Sequence, residues 1–101
     1  MIKLRQSNEV YEQRARVAAA LAHPSRQILL EVLRDREMCV ADLTSTLRQD
    51  QSTVSRHLAV LRSAGLVDRR KSGTLSLFRT TRPGIENCIL ALDALAAPPA
   101  G

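Results

Sequence analysis

The sequence predicts a mainly α-helical domain of five helices with one small β-hairpin. Its 101 residues are the size of one small domain, and 45% of them are hydrophobic, enough to form a core. Apolar side chains recur at helical spacing along the chain, except across one basic segment around Arg70. We therefore expect residues 1–101 to form a single domain, with a disordered tail at about 97–101.

The first two predicted helices are separated by a proline. Helix one runs from about Glu9 to Leu21. His23 lies before Pro24 and is therefore pushed out of the helical region, whereas Pro24 suits the first turn of a second helix that ends near Arg34. Val10, Val17, Ala20 and Leu21 share one face of the first helix at helical spacing. The residues expected on the buried side of the second helix are Ile28, Leu29, Val32 and Leu33.

The third and fourth predicted helices are short and closely spaced. A short apolar step, 38–40, leads into a helix from roughly Val40 to Leu47. After a polar break, Asp50 is a good N-cap for the next helix, since its carboxylate can accept the free N–H of Ser52 or Thr53. Val54, Leu58 and Leu61 form its apolar stripe, and Ala64-Gly65 closes it with a left-handed glycine.

A hairpin and a last helix complete the chain. The apolar-rich runs 66–70 and 74–78 flank Lys71-Ser72-Gly73, which is typical of a β-hairpin with its turn at 71–73. Pro83 marks the start of the last helix. One side of that helix carries Ile85, Cys88, Ile89, Leu92, Leu95 and Ala96.

The positive charge is concentrated in one third of the chain. Between Gln51 and Arg82 there are seven basic residues and one acidic residue, a net charge of +6, whereas the whole chain carries +5. Such a basic segment indicates a polyanionic partner, the alternative being a solvated face. Since Tyr11 and Phe78 are the only aromatic residues, a base-stacking surface for single strands is nearly excluded.

Two short helices followed by a basic hairpin predict a winged helix-turn-helix that binds double-stranded DNA. The first turns of the fourth helix offer base-reading and phosphate-binding side chains, and the hairpin tip offers basic ones. The candidate DNA-binding residues are Gln51, Ser52, Thr53, Ser55, Arg56, Arg69, Arg70 and Lys71. The competing interpretation is a helical domain with a polar face and no nucleic-acid partner. His57, beside the apolar stripe, is interpreted as a hydrogen-bonded histidine that bridges the fourth helix to its neighbours.

Three stretches of the sequence carry a resemblance to a known family: Ala20-Leu21-Ala22-His23-Pro24-Ser25-Arg26, Glu37-Met38-Cys39-Val40-Ala41-Asp42-Leu43 and the long stretch from Gln51 to Val67. Through them the chain resembles, from about Val17 to Leu95, the ArsR/SmtB family of metalloregulatory repressors. This resemblance implies a homodimer built by the first and last helices, which represses its operator without a cofactor until an inducer lowers its affinity for DNA. The chain departs from the family pattern at Arg48, Gln49 and Asp50, in the turn before the fourth helix.

The resemblance also limits the inducer. The zinc and nickel sensors carry a histidine- and carboxylate-rich last helix, whereas here no histidine follows His57. The arsenic sensors carry two thiols at the start of the third helix; this chain keeps Cys39 but has Ala41 at the second position. Cys88 is the candidate replacement, so Cys39 and Cys88 are the expected ligands for arsenite, antimonite or another thiophilic ion.

Three alternatives stay open. Both cysteines are also explained as small apolar core residues. A reversible Cys39–Cys88 bridge formed by oxidants or sulfide would make a thiol switch without metal. A ligand-independent winged-helix module for DNA or protein binding is a third.

Other classes of protein are disfavoured. An enzyme is the least supported class, because the sequence lacks a phosphate-binding loop and paired carboxylates near a nucleophile. The absence of an apolar leader and of a membrane span, together with only two cysteines, predicts a cytoplasmic protein without a membrane partner.

Overall fold

The computed structural model describes residues 2–81 and 83–98. Arg82 and most of the predicted disordered tail, residues 99–101, lie outside the described residues. The elements in chain order are α1 (Asn8–Leu21), α2 (Pro24–Leu33), β1 (Met38–Cys39), α3 (Val40–Leu47), α4 (Gln51–Ser63), β2 (Val67–Ser72), β3 (Leu75–Thr80) and α5 (Ile85–Ala96). All five predicted helices are confirmed, with ends that agree closely with the sequence interpretation.

Side chains cap three of the helices at their N-termini. The Ser7 hydroxyl accepts the Val10 N–H at 3.4 Å, and His23 Nδ1 accepts the Ser25 N–H at 3.1 Å. Asp50 Oδ1 accepts the Thr53 N–H at 2.7 Å, so the predicted cap of α4 is confirmed. These contacts satisfy N–H groups that have no partner inside the helix, and so fix where each helix begins.

The core is one hydrophobic cluster to which every helix contributes. Its fully buried large side chains are Leu29, Leu30, Leu33, Leu43, Val54, Leu58 and Leu61. The prediction for Ile28 was wrong: this side chain is 44% exposed, whereas Leu30 is buried. The reason is that α2 packs against five other elements, α1, α3, α4, α5 and β3. Its buried side is therefore wider than one apolar stripe and is rotated so that it includes Leu30 and not Ile28.

The hairpin belongs to a three-stranded antiparallel sheet of order β1-β3-β2. The step at 38–40, interpreted from sequence only as a connection, contains a short strand in which Met38 pairs with Phe78 and Cys39 with Leu77. The predicted turn at 71–73 was also wrong, because Lys71 and Ser72 belong to β2 and the turn lies at Gly73-Thr74. Gly73 has a φ of 61°, which suits the tight two-residue turn that joins twisted strands.

The described helices include none that is both long and apolar enough to cross a membrane.

Replacing Leu58 by alanine should lower the free energy of unfolding by about 2–5 kcal/mol, because the change leaves a cavity in a fully packed core. The matched change Leu75→Ala removes the same atoms from a side chain that is 52% exposed and should cost about 0.5 kcal/mol or less. Urea denaturation of both variants measures the difference. Equal destabilisation by the two changes would contradict the placement of Leu58 in the core.

Candidate nucleic-acid interface

Helices α3 and α4 pack against each other and are joined by the short turn 48–50, the arrangement of a helix-turn-helix. The turn is anchored to α2, because the Gln49 amide Nε2 donates a 2.7 Å hydrogen bond to the Ser25 hydroxyl. Ser25 itself is buried. The start of α4 is therefore held both by its Asp50 cap and by the N-terminus of α2.

The first turns of α4 are polar and basic on the side that faces away from the core, whereas Ala59 and Val60 are exposed further along the helix. Gln51, Ser52, Ser55 and Arg56 are exposed and Thr53 is half-buried, while Val54, His57, Leu58 and Leu61 are buried on the opposite side. Arg56 Nη2 lies 3.4 Å from the Thr53 hydroxyl, to which it donates. Five predicted DNA-binding residues therefore lie together on consecutive turns of one helix, directed by the burial of the other side.

Asp50 places a negative charge at the start of this surface. Hydrogen bonds from the side chain and the backbone N–H of Thr53 hold the pKa of this carboxyl below its usual value, and Arg56 lowers it further, while desolvation acts in the opposite direction. Asp50 is consequently ionised at neutral pH. It complements the α4 dipole and reduces the positive potential that the helix N-terminus would otherwise present.

The wing, defined here as β2 and β3, places its three predicted basic residues on two different sides. They lie within β2 and not at the hairpin tip, so the predicted tip position was wrong. Arg69 pairs with Phe78 and Lys71 with Ser76, on one side of the sheet, while Arg70 pairs with Leu77 on the other.

Arg70 differs from its neighbours because it forms an ion pair. Its Nε donates to Glu37 Oε2 at 2.6 Å, and its Nη2 donates to Glu37 Oε1 at 2.9 Å. The hydrogen bond from Arg70 is the main cause that lowers the pKa of Glu37, and the charge of Arg79 adds to it. Within residues 2–81 and 83–98, the side chains of Arg69 and Lys71 have no such partner.

His57 forms the polar junction between α4 and the helices beside it, as the sequence predicted. Its ring lies 4.4 Å from the His23 ring, between centroids, and Arg26 Nη1 donates to its Nδ1 at 3.4 Å. Arg26 also donates to the carbonyl oxygens of Ala20 at 2.7 Å and Ala19 at 3.2 Å, near the C-terminus of α1. Desolvation, followed by the charges of His23, Arg26 and Arg56, lowers the pKa of His57.

The two cysteines lie on different elements with different neighbours. Cys39 is half-buried at the end of β1, where it precedes α3 without a side-chain capping bond. Cys88 is half-buried on α5, at a cavity of about 30 Å³ that Leu21, Leu30 and Glu31 also line. Both thiols are free. Among the described residues, no group of three or more His, Cys, Asp or Glu side chains could hold a metal ion. One chain alone therefore does not supply the three sulfur ligands that arsenite generally takes.

Sequence reasoning missed three residues that organise this surface: Glu37, Gln49 and Arg26. Glu37 and Arg70 are 33 positions apart, and their opposite charges become informative only once the strand order brings β1 and the wing together. Arg26 and Gln49 likewise act across long separations in the chain. The only local signal was that Gln49 and Arg26 flank the two predicted helix starts at Asp50 and Pro24.

Comparison with known proteins shows that the sequence and fold are similar to those of transcriptional regulators. A family model described as "Bacterial regulatory protein, arsR family" matches residues 23–69. An uncharacterized HTH-type transcriptional regulator of Methanocaldococcus jannaschii is 33% identical over 88 residues, covering 86% of this chain and 99% of that protein. The biofilm growth-associated repressor of Agrobacterium fabrum is 37% identical over 79 residues, covering 78% of this chain and 68% of that protein.

Solved structures agree with the sequence comparisons. A homodimeric winged helix-turn-helix DNA-binding domain from Mycobacterium bovis, described as a possible ArsR-family regulator, superposes with a TM-score of 0.79 at 28% identity. The match covers 93% of this chain and 90% of that fragment. The winged helix-turn-helix predicted from sequence is thereby confirmed.

The pH dependence of stability provides a test of the His57 junction. Because the folded-state pKa of His57 is lower than the value of about 6.5 in an unfolded chain, the unfolded state binds more protons between these two values. The free energy of unfolding should therefore rise with pH in the window below about 6.5 and level off above it. His57→Gln should flatten this rise in urea titrations at several pH values. A variant that keeps the full wild-type slope would contradict the assignment.

Proposed function

Because this chain belongs to the ArsR family of bacterial regulatory proteins, we propose that it represses transcription by binding double-stranded operator DNA as a homodimer. The observation that carries the proposal is the exposed polar and basic side of α4, whose direction is fixed by a fully buried apolar side within a helix-turn-helix. A relative named as a repressor and a neighbour described as a homodimeric DNA-binding domain support it.

In this proposal the residues of α4 divide into base-reading and backbone-binding groups. Gln51 and Arg56 read base edges in the major groove, since an amide pairs with adenine and a guanidinium with guanine through two hydrogen bonds each. The hydroxyls of Ser52, Thr53 and Ser55 bind phosphates or adapt to the bases. On the wing, Arg69 and Lys71 bind phosphates directly, whereas Arg70 does so only when it exchanges Glu37 for a phosphate.

The proposed dimer uses apolar side chains that a monomer leaves in water. On α1, Val10 and Tyr11 are exposed, and on α5 Leu90 is 59% and Leu95 83% exposed. A chain of this size gains stability from burying such surface against a second copy. A twofold axis through α1 and α5 would present two α4 helices to successive major grooves, about 34 Å apart along the DNA.

We further propose that a thiol-binding inducer, arsenite or antimonite, acts at Cys39 and Cys88. Cys39 immediately precedes the N-terminus of α3, and its sulfur is the type of ligand that soft ions such as arsenite prefer. With two thiols in each chain, a site that spans both chains of the dimer provides the third sulfur. Cys39 on β1 pairs with Leu77 on β3, and Leu77 pairs in turn with Arg70 on β2. An adduct at Cys39 therefore acts on the wing as well as on α3.

A thiol redox switch is a second candidate, because it needs only the two free cysteines that each chain contains. In this reaction two thiols are oxidised to one disulfide, and their two protons and two electrons pass to a peroxide. Hydrogen peroxide is reduced to two molecules of water, and an organic peroxide to water and an alcohol. Cys39 and Cys88 need only each other, from the same or the partner chain, for this reaction. Cys39 and Cys88 are therefore the sensing residues in both candidates, and the reagent that releases the protein from DNA distinguishes the metalloid inducer from the oxidant.

Arg56→Ala should weaken binding to an operator selected from random duplexes by about 1–3 kcal/mol, roughly 5- to 150-fold, because it removes a base-edge hydrogen bond. Lys71→Ala should make the slope of log affinity against log salt less negative by about 0.9 for each phosphate that the lysine neutralises. Fluorescence anisotropy at several salt concentrations measures both. Arg34→Gln is the matched control, since it also removes one positive charge, but from a side chain that already binds the carboxylates of Asp35 and Glu86.

The same titrations separate a repressor from an architectural module. A repressor should prefer its operator over random duplex by about 10³ or more at physiological salt. Unchanged affinity for every duplex in an Arg56→Ala, Lys71→Ala double variant would contradict the proposed interface.

Cys39→Ser should leave operator binding intact and abolish release by arsenite, because serine has the shape of cysteine without the soft ligand. Release from the selected operator is followed by anisotropy with arsenite or peroxide, and the protein is weighed by mass spectrometry. Retention of arsenic under reducing conditions supports the metalloid inducer, and a loss of two mass units per disulfide supports the redox switch. Normal release of Cys39→Ser by both reagents would contradict thiol sensing.

A further inference from the structure

The turn between α3 and α4 contains a strained residue. Arg48 has a φ of 54° and a ψ of 42°, in the left-handed helical region. It is the one residue other than glycine with a positive φ in the described ranges 2–81 and 83–98. An L-residue with a side chain adopts this conformation at a cost that glycine avoids, and so helices commonly end with a glycine at such a position.

The backbone conformation of Arg48 is imposed by the hydrogen bonds around it. The N–H groups of Arg48 and Gln49 both donate to the Thr44 carbonyl oxygen, which closes the end of α3. Gln49 is then bonded to Ser25, and Asp50 must be placed to cap α4. The reversal of the chain at position 48 is thus required by the fold, whereas an arginine at that position is not.

The side chain of Arg48 has no structural role that would account for it. It is exposed, and within the described part of the chain it forms neither a side-chain hydrogen bond nor an ion pair. Arg26, Arg34 and Arg70, by contrast, each bind carbonyl or carboxylate oxygens. A cation at a strained position, without an intramolecular partner, points to an external one.

We propose that Arg48 binds a DNA phosphate beside the groove that α4 enters. The inference rests on the proposed function, and it assigns a further phosphate-binding residue to that interface. Arg48 lies three residues before Gln51, where the chain of a helix-turn-helix crosses the DNA backbone. The carboxylate of Asp50, two residues away, repels phosphates, and the guanidinium of Arg48 offsets that repulsion at the same edge of the surface.

This role predicts opposite effects of Arg48→Gly on stability and on DNA binding. Glycine relieves the left-handed strain, so the melting temperature should rise by about 2–6 °C. On a short duplex of random sequence, the slope of log affinity against log salt should become less negative by about 0.9 for each phosphate that Arg48 neutralises, or about 1.8 for a dimer. Because a phosphate carries no sequence information, the ratio of operator to random affinity should stay unchanged.

Three further variants complete the experiment. Arg48→Asn tolerates the left-handed conformation without a charge and should reduce the salt slope by the same amount, whereas Arg48→Lys should retain most of it. Arg34→Gln removes one charge elsewhere and should bind like the wild type. Wild-type slopes for both Arg48→Gly and Arg48→Asn would overturn the proposal. If Arg56→Ala leaves operator affinity unchanged while Arg48→Gly makes the salt slope less negative, base reading by α4 is contradicted and phosphate binding by Arg48 is supported. If Arg56→Ala weakens operator binding while Arg48→Gly leaves the salt slope unchanged, only the role of Arg48 is overturned.

Discussion

The burial of one side of α4 is the constraint on which the other features of this molecule depend. Val54, Leu58 and Leu61 are almost completely buried, and each contributes about 1.5–3 kcal/mol by leaving water. Rotating α4 about its axis would expose all three, so the core determines the direction of the helix. Ser52, Ser55 and Arg56 lie on the opposite side of the helix and therefore face the solvent. Hydrophobic packing therefore orients a polar surface that makes no contribution to the core itself.

A second level of order comes from the polar junction at the N-terminus of α2. Arg26 binds two carbonyl oxygens near the end of α1 and the ring of His57 on α4, so a single guanidinium joins three helices. Gln49 and Ser25 add a separate link between α2 and the turn before α4. Directional hydrogen bonds therefore add to the apolar packing that holds α1, α2 and α4 together.

The sequence predicted those parts of the structure that depend on neighbouring residues. The Asp50 cap, the proline start of α2 and the glycine end of α4 are local, since each is set by residues within one helical turn. Features that depend on tertiary pairing escaped prediction. Two residues of β1 form a strand only because β3 lies beside them, and Leu30 is buried only because α2 is enclosed on several sides. The Glu37–Arg70 pair belongs to the same class, because no local pattern relates the two positions.

Net charge alone overstates how many basic residues are ready to bind a polyanion. Among the arginines in the basic third of the chain, Arg70 forms an ion pair with Glu37. The positive charge of Arg79 also helps to lower the pKa of Glu37. The net charge of +5 acts at long range and steers DNA toward the protein, while direct binding depends on the side chains without partners. The Glu37–Arg70 pair is bidentate, and the Glu37 side chain is only 30% exposed, so water and salt screen it less than a pair at the open surface. Arg70 would have to leave both oxygens of Glu37 before it could bind any other anion, whereas Arg69 and Lys71 have no such partner within the described residues.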